Sequence, residues 1–286
     1  MKKIDVHSHW GTKRGYPLRT AAQLEQQRIT WNSDPKYATE QEMCDYFRKA
    51  DVRAILDLHF PKYMPFEEMR VYNDYSFEVQ RSHPDVILGH WIHIDPRTGQ
   101  QGLNELRRCV DNAPGFVGLG VSGSGTVPAS DENWFPFYKL CIEAKVPVLV
   151  FVGMTGHGAG LVGGGGVLLD DCHPRHLDYV AAKFPGLTLV AARPGWPWQD
   201  ETNAVLLHKR NVWYEVHGWS PKYFTPSLKR EISRRLKDRV MFGADYPLFT
   251  YERLESDWRE EGYSEEVLEQ VFFKNAERFF ASLGKR

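Results

Sequence analysis

Several things are scarce in this chain of 286 residues, and each scarcity excludes something. It has only four cysteines, Cys44, Cys109, Cys141 and Cys172, and no C-x-x-C pair. That pattern excludes a disulfide framework or a zinc knuckle and suits thiols buried in a reducing compartment. It has no excess charge of either sign: 36 Lys and Arg stand against 37 Asp and Glu, a net charge of −1. Nucleic-acid binders and polybasic membrane surfaces need a cationic surplus, so neither partner is expected. The longest apolar run, Val146 to Val152, is broken by Pro147 and far too short to span a bilayer. The N-terminus turns polar at Asp5, which leaves no secretory core segment. No Pro-rich linker, charge block or low-complexity tract divides the chain, so residues 1–286 are read as one domain, and a cytoplasmic setting is expected.

What the sequence has in plenty is rings: 9 Trp, 13 Tyr, 16 Phe and 11 His. Aromatics bury much area per residue, and spare imidazoles direct attention to metal or acid–base chemistry. Eight short β-type runs recur at 3–6, 52–58, 86–94, 115–121, 146–152, 187–192, 212–216 and 239–243. Helical patterns lie between them at 40–50, 72–81, 102–109, 137–144 and 173–184. Alternation of this kind predicts parallel βαβ units, and eight strands close a distorted (β/α)8 TIM barrel of the α/β class. A doubly wound open sheet is the structural alternative. The polar, aromatic stretch 11–40 is expected to fold over one end of the barrel.

Two strand ends bear the sharpest chemistry. Asp5-Val6-His7-Ser8-His9 closes the first run, and residues two apart on a strand point the same way, so His7 and His9 can present two imidazoles to one point. Neutral imidazoles suit a borderline divalent cation such as zinc. The plainer alternative is a chance H-x-H on the surface. Val240-Met241-Phe242-Gly243-Ala244-Asp245 ends the eighth run, and barrel closure would bring Asp245 beside His7 and His9 as a ligand and proton acceptor. Its alternative role is to cap the turn before Pro247.

These motifs, together with 184–198 (F-P-G-L-T-L-V-A-A-R-P-G-W-P-W), 211–224 (N-V-W-Y-E-V-H-G-W-S-P-K-Y-F) and 273–280 (F-K-N-A-E-R-F-F), resemble the amidohydrolase superfamily. The branch is the amidohydrolase-related one (amidohydrolase 2), that of aminocarboxymuconate-semialdehyde decarboxylase. The resemblance implies a (β/α)8 barrel with a mononuclear metal site at the C-terminal ends of the strands. It also implies hydrolysis or non-oxidative decarboxylation of a small carboxylated substrate, aromatic or ring-derived. One divalent ion is implied, zinc first and manganese second.

Two positions of the family pattern differ here. Phe151 stands where the fifth strand would offer a ligand histidine, and a phenyl ring cannot coordinate metal. Arg193 stands where the sixth strand would offer the catalytic histidine, and a guanidinium is neither ligand nor base. His7, His9 and Asp245 carry over, and three ligands still hold a catalytic zinc with an open position. His157, His59 and His217, which stands where the family more often has Ser, are candidates to fill the gap; His83, His90, His93, His173, His176 and His208 are given no role. Arg193 is expected to bind a substrate carboxylate, the alternative being an ion pair with Asp5, Asp245 or Glu215. Trp10, Trp196, Trp198 and Trp219 either line an apolar pocket or pack the barrel rim, with Trp10 and Trp196 taken as substrate contacts. A formal G-x-G-x-x-G from Gly158 to Gly163 runs on into further glycines that disfavour a helix, so it is read as a lid, not a dinucleotide motif.

Three functional readings follow. The first is the metal-dependent hydrolase or decarboxylase; the second is a metal-free hydrolase or lactonase using Asp245 and Arg193. The third is a degenerate barrel that binds a ligand or supports a catalytic partner subunit; separately, both a homo-oligomer and a hetero-oligomer with a related barrel stay open.

Overall fold

The computed structural model describes residues 1–16, 18, 20–34, 36–58 and 64–284. Eight parallel strands follow in sequence order: β1 (Lys3–Ser8), β2 (Val52–Asp57), β3 (Ile87–His93), β4 (Phe116–Val121), β5 (Val148–Phe151), β6 (Leu189–Ala192), β7 (Val212–Glu215) and β8 (Val240–Met241). All eight coincide with runs expected from the sequence. Nearly every position in them is buried, as strands covered on both faces must be. The order β1 to β8 is that of a (β/α)8 barrel and excludes the doubly wound sheet.

The seam between β8 and β1 is bridged by the backbone. Val6 N–H donates to Phe242 O (3.0 Å), Asp245 N–H to His7 O (3.1 Å) and His9 N–H to Tyr246 O (2.7 Å). Asp5 pins the same seam from within: it accepts from the amides of His7 and Ala244 and from the hydroxyls of Ser8 and Tyr251. Burial lifts its carboxyl to about 7 despite those four donors.

The helices are α1 (Ala21–Trp31), α2 (Glu40–Lys49), α3 (Phe66–Ser82), α4 (Gln100–Asn112), α5 (Phe135–Ala144), α6 (Pro174–Lys183), α7 (Gln199–His208), α8 (Pro226–Ile232), α9 (Tyr251–Glu260), α10 (Glu265–Glu269) and α11 (Asn275–Ser282). Sequence patterning left α1 unread, although Thr20 and Gln23 form a reciprocal cap at its start. α2 is typical of the outer ring, with Met43, Cys44 and Phe47 turned inward from a charged outer face. One apolar layer lies between strands and helices; a second fills the barrel itself with Ile4, Val6, Ile55, Trp91, Leu149, Val190 and Met241. The inward positions of β4 are Gly118 and Gly120, where any Cβ would lie 2.0 Å from the Trp91 ring and 2.3 Å from that of His93. Their bareness gives those two side chains of β3 their room.

α1 rests against the glycine-rich loop after β5, with Gln26 Nε2 donating to Ala159 O. In that loop Gly163, Gly164 and Gly165 take left-handed φ of 60–62°, and the next α-helix starts only at Pro174. No α-helix N-terminus directly follows the glycines, so the dinucleotide reading fails on structure as well as on composition. The four cysteines are free and buried, and no helix among the described residues is long and apolar enough to cross a membrane.

Candidate active site

Strand alternation determines which side chains enter the barrel mouth. Inward-facing Ile55, Trp91, Leu149 and Trp213 are each followed two residues later by Asp57, His93, Phe151 and Glu215. On β1 the register shifts between Asp5 and Ser8, and this irregularity turns His7 toward the same centre after Val6. Two strand ends leave the β region altogether: Arg193 after β6 has φ 75° and Asp245 after β8 has φ 60°. Left-handed backbone at a residue other than glycine costs about 1 kcal/mol or more and tends to occur where function demands a particular side-chain direction.

The resulting cluster is buried. His7, Asp57, Glu215 and His217 have no exposed side-chain surface, while His9 and Asp245 retain 13% and 9%. His9 Nε2 lies 3.2 Å from Asp245 Oδ1. His7 Nε2 is 3.3 Å from Asp57 Oδ2, and His7 Nδ1 is 3.5 Å from Glu215 Oε1. His93 donates to Asp57 at 2.7 Å. The rings of His7 and His217 stack at 3.6 Å, only 5° from parallel.

Electrostatics sort the members. Burial, reinforced by His217, His9 and Arg193, holds His7 well below the usual imidazole range, so it is neutral. Burial also opposes charge on His9, but Asp245 overrides it and raises the group. Asp245 is pushed up by burial, yet His9, His217 and Arg193 together hold it well below the usual carboxylate range. It therefore stays ionised at every physiological pH.

A cation fits this donor set. One ligand atom each from His7, His9 and Asp245 lie within 4.8 Å of one another, as do those of His7, Glu215 and His217. Both ring nitrogens of His7, Nδ1 of His9 and Oδ1 of Asp245 are buried without an aligned hydrogen bond. Buried polar atoms left in that state point to a partner the polypeptide does not supply. Two imidazoles and a carboxylate are zinc-type donors.

The other expected residues fall as follows. Arg193 makes no ion pair with Asp5, Asp245 or Glu215: its Nε donates to His217 Nε2 (3.1 Å) and its Nη1 to the Met154 carbonyl (3.1 Å). Its Cζ sits 5.0 Å from the centroid of the Phe151 ring. His217 is thus held by side chains and not by backbone alone, its Nδ1–H donating to Glu215 Oε1 at 2.6 Å. His157 belongs to neither donor group, its amide bonding Thr155 Oγ1, and His59 lies outside the described residues. Trp10 is fully buried and stacked on His90, so it packs the wall. Trp196, 44% exposed, stands 6.0 Å from Trp219 at the mouth. Trp198 lies instead against His173, 4.6 Å between ring centroids. Sequence gives Asp57 and His93 no site role and names Glu215 only as an alternative partner of Arg193; continuing each strand's inward alternation by one step places all three at the mouth.

The family model described as Amidohydrolase matches residues 4–281. The chain belongs to the amidohydrolase family. This chain is an enzyme of the amidohydrolase superfamily. Similar solved structures include an uncharacterised TIM-barrel protein from Bordetella bronchiseptica, at 18% identity over 100% of both chains and a TM-score of 0.76. A 2,6-dihydroxybenzoate decarboxylase from Rhizobium is 16% identical over 99% of both chains, with a TM-score of 0.71. A probable 2-pyrone-4,6-dicarboxylic acid hydrolase from Acinetobacter baumannii, with citric acid bound, is 16% identical over 98% of this chain and 100% of that one, with a TM-score of 0.63. At these identities the likeness is one of fold. No curated protein sequence matches the chain.

Proposed function

We propose that this amidohydrolase-family member is metal-dependent and hydrolyses or decarboxylates a small carboxylated substrate, aromatic or ring-derived, in the cytoplasm. The observation that carries the reading is the juxtaposition of the His7, His9 and Asp245 donor group with Arg193, a cation bonded to no carboxylate among the described residues. His7, His9 and Asp245 would hold one divalent ion, zinc first and manganese second, and when bound such an ion supplies Lewis acidity and lowers the pKa of water. The other tasks belong to side chains. Arg193 binds the substrate carboxylate, which also separates the guanidinium from the metal charge. Asp245, ionised in the resting enzyme, is the carboxylate placed to take up a proton transiently during turnover. Trp196 and Trp219 flank the apolar part of the substrate, and Phe151 keeps water off one face of the arginine. By name, the decarboxylase and the hydrolase among the similar structures act on ring carboxylates, which supports this substrate class.

Metal analysis of the purified protein tests the reading. About one equivalent of zinc or manganese is expected, lost in His9→Ala and Asp245→Ala. Absence of bound metal after incubation with excess of either ion would overturn it. The metal-free reading draws on Phe151 and Arg193 occupying two family positions; activity undiminished by exhaustive chelation would favour it.

A further inference from the structure

Phe151 and Arg193, which depart from the family pattern the resemblance implies, and His217, where that pattern more often has Ser, lie at the ends of three successive strands. In the fold they meet. The Arg193 cation lies over the Phe151 face, Arg193 Nε donates to His217 Nε2, and the rings of Phe151 and His217 stand edge to face at 6.0 Å. Each contact is chemically complementary, a cation on a π face and a donor on a lone pair. Independent drift at three positions gives no reason for such a match.

A histidine accepts from arginine only when neutral, with its proton on the other nitrogen. Glu215 imposes that state: Oε1 accepts from His217 Nδ1–H at 2.6 Å, and Oε2 accepts from the His217 amide at 2.9 Å. With Nε turned to His217 and one Nη1 hydrogen given to Met154 O, two sides of the guanidinium are committed. The outer edge, Nη2 with the second hydrogen of Nη1, has no hydrogen-bond partner among the described residues. That edge is the planar fork that matches the two oxygens of a carboxylate.

We infer that Glu215 and His217 are positioning residues that orient Arg193 so that its outer edge receives the substrate carboxylate. This rests on the reading of Arg193 as the carboxylate-binding group. The two are tested together by calorimetric titration of the purified protein with benzoate, 2,6-dihydroxybenzoate and citrate. Arg193→Met should weaken binding by at least about tenfold, the cost of a charge-assisted pair. His217→Phe keeps a ring stacked on His7 but removes the acceptor, and should weaken binding about fivefold to tenfold. His217→Gln places an acceptor oxygen near the former Nε2 and should recover most of that loss. Glu215→Gln, which frees the imidazole proton to move toward Arg193, should act like His217→Phe and stands in for it if that variant does not fold. If no probe binds, or Arg193→Met binds as well as the parent, the carboxylate-binding role of Arg193 falls. If Arg193→Met loses binding while His217→Phe and Glu215→Gln retain it, or His217→Gln fails as His217→Phe does, only the positioning inference falls.

Discussion

The β8–β1 arc of the barrel mouth and the β5–β7 arc meet at one site but are held in different ways. On the first, His7, His9 and Asp245 sit on backbone stitched directly across the seam, with Asp5 gathering four donors beneath them. On the second, Phe151, Arg193, His217 and Glu215 hold one another through side chains. Backbone pinning leaves each donor's place nearly independent of its neighbours' side chains. Mutual side-chain support makes each member depend on the others: beside the arginine that follows β6, a phenyl face and a lone pair are favourable neighbours.

The largest expected effect breaks the seam. Asp5→Ala strands four buried donors and should cost about 4 kcal/mol in urea unfolding, whereas Arg193→Met should cost under about 1 kcal/mol. Equal losses would erase the distinction between the arcs. Next, Asp245→Ala should lower affinity for zinc by about 100-fold or more, while His217→Phe should leave it within about threefold, as competition with a fluorescent chelator would show. Phe151→His places an imidazole at the end of β5. With Arg193 still present it should leave zinc affinity within about threefold and cost about 1–2 kcal/mol through the lost cation–π and apolar contacts. A large rise in zinc affinity would mean that the β5 position is merely a vacated ligand site.

The most gradual effect is a pH slope on the seam. Asp5 in the fold titrates at about 7 against an ordinary 3.8, so the fold favours its neutral form. The stability it contributes is full below about pH 4 and is lost as pH rises toward 7, at up to about 1 kcal/mol per pH unit. The difference in stability between the parent and Asp5→Asn should therefore drift over that window, and the difference between the parent and Arg193→Met should not.

Fold and site were legible to different depths. The eight strands could be read because each is a short apolar run buried on both faces, a signal local to the chain. His7, His9 and Asp245 could be read because spacing and barrel closure alone bring them together. The Arg193–His217 bond could not, since neither residue's neighbours in sequence encode it; carboxylates looked the natural partners for the arginine, and an imidazole already tied to Glu215 took the place instead. α1 was hidden by its weak amphipathicity, its cap being the one local sign. Asp57 and His93 belonged to strand ends whose inward parity is set by the apolar residues before them.

The seam also sets a timetable. Asp5 bonds Ala244 and Tyr251 across 239 and 246 positions of chain, so the two halves of the donor group lie almost as far apart in sequence as this chain allows. Loop closure over that length comes late. A chain emerging from the ribosome displays His7 and His9 long before Asp245 exists. The finished set arises only with the last strand, so an ion held by these donors would be captured only once the barrel is complete.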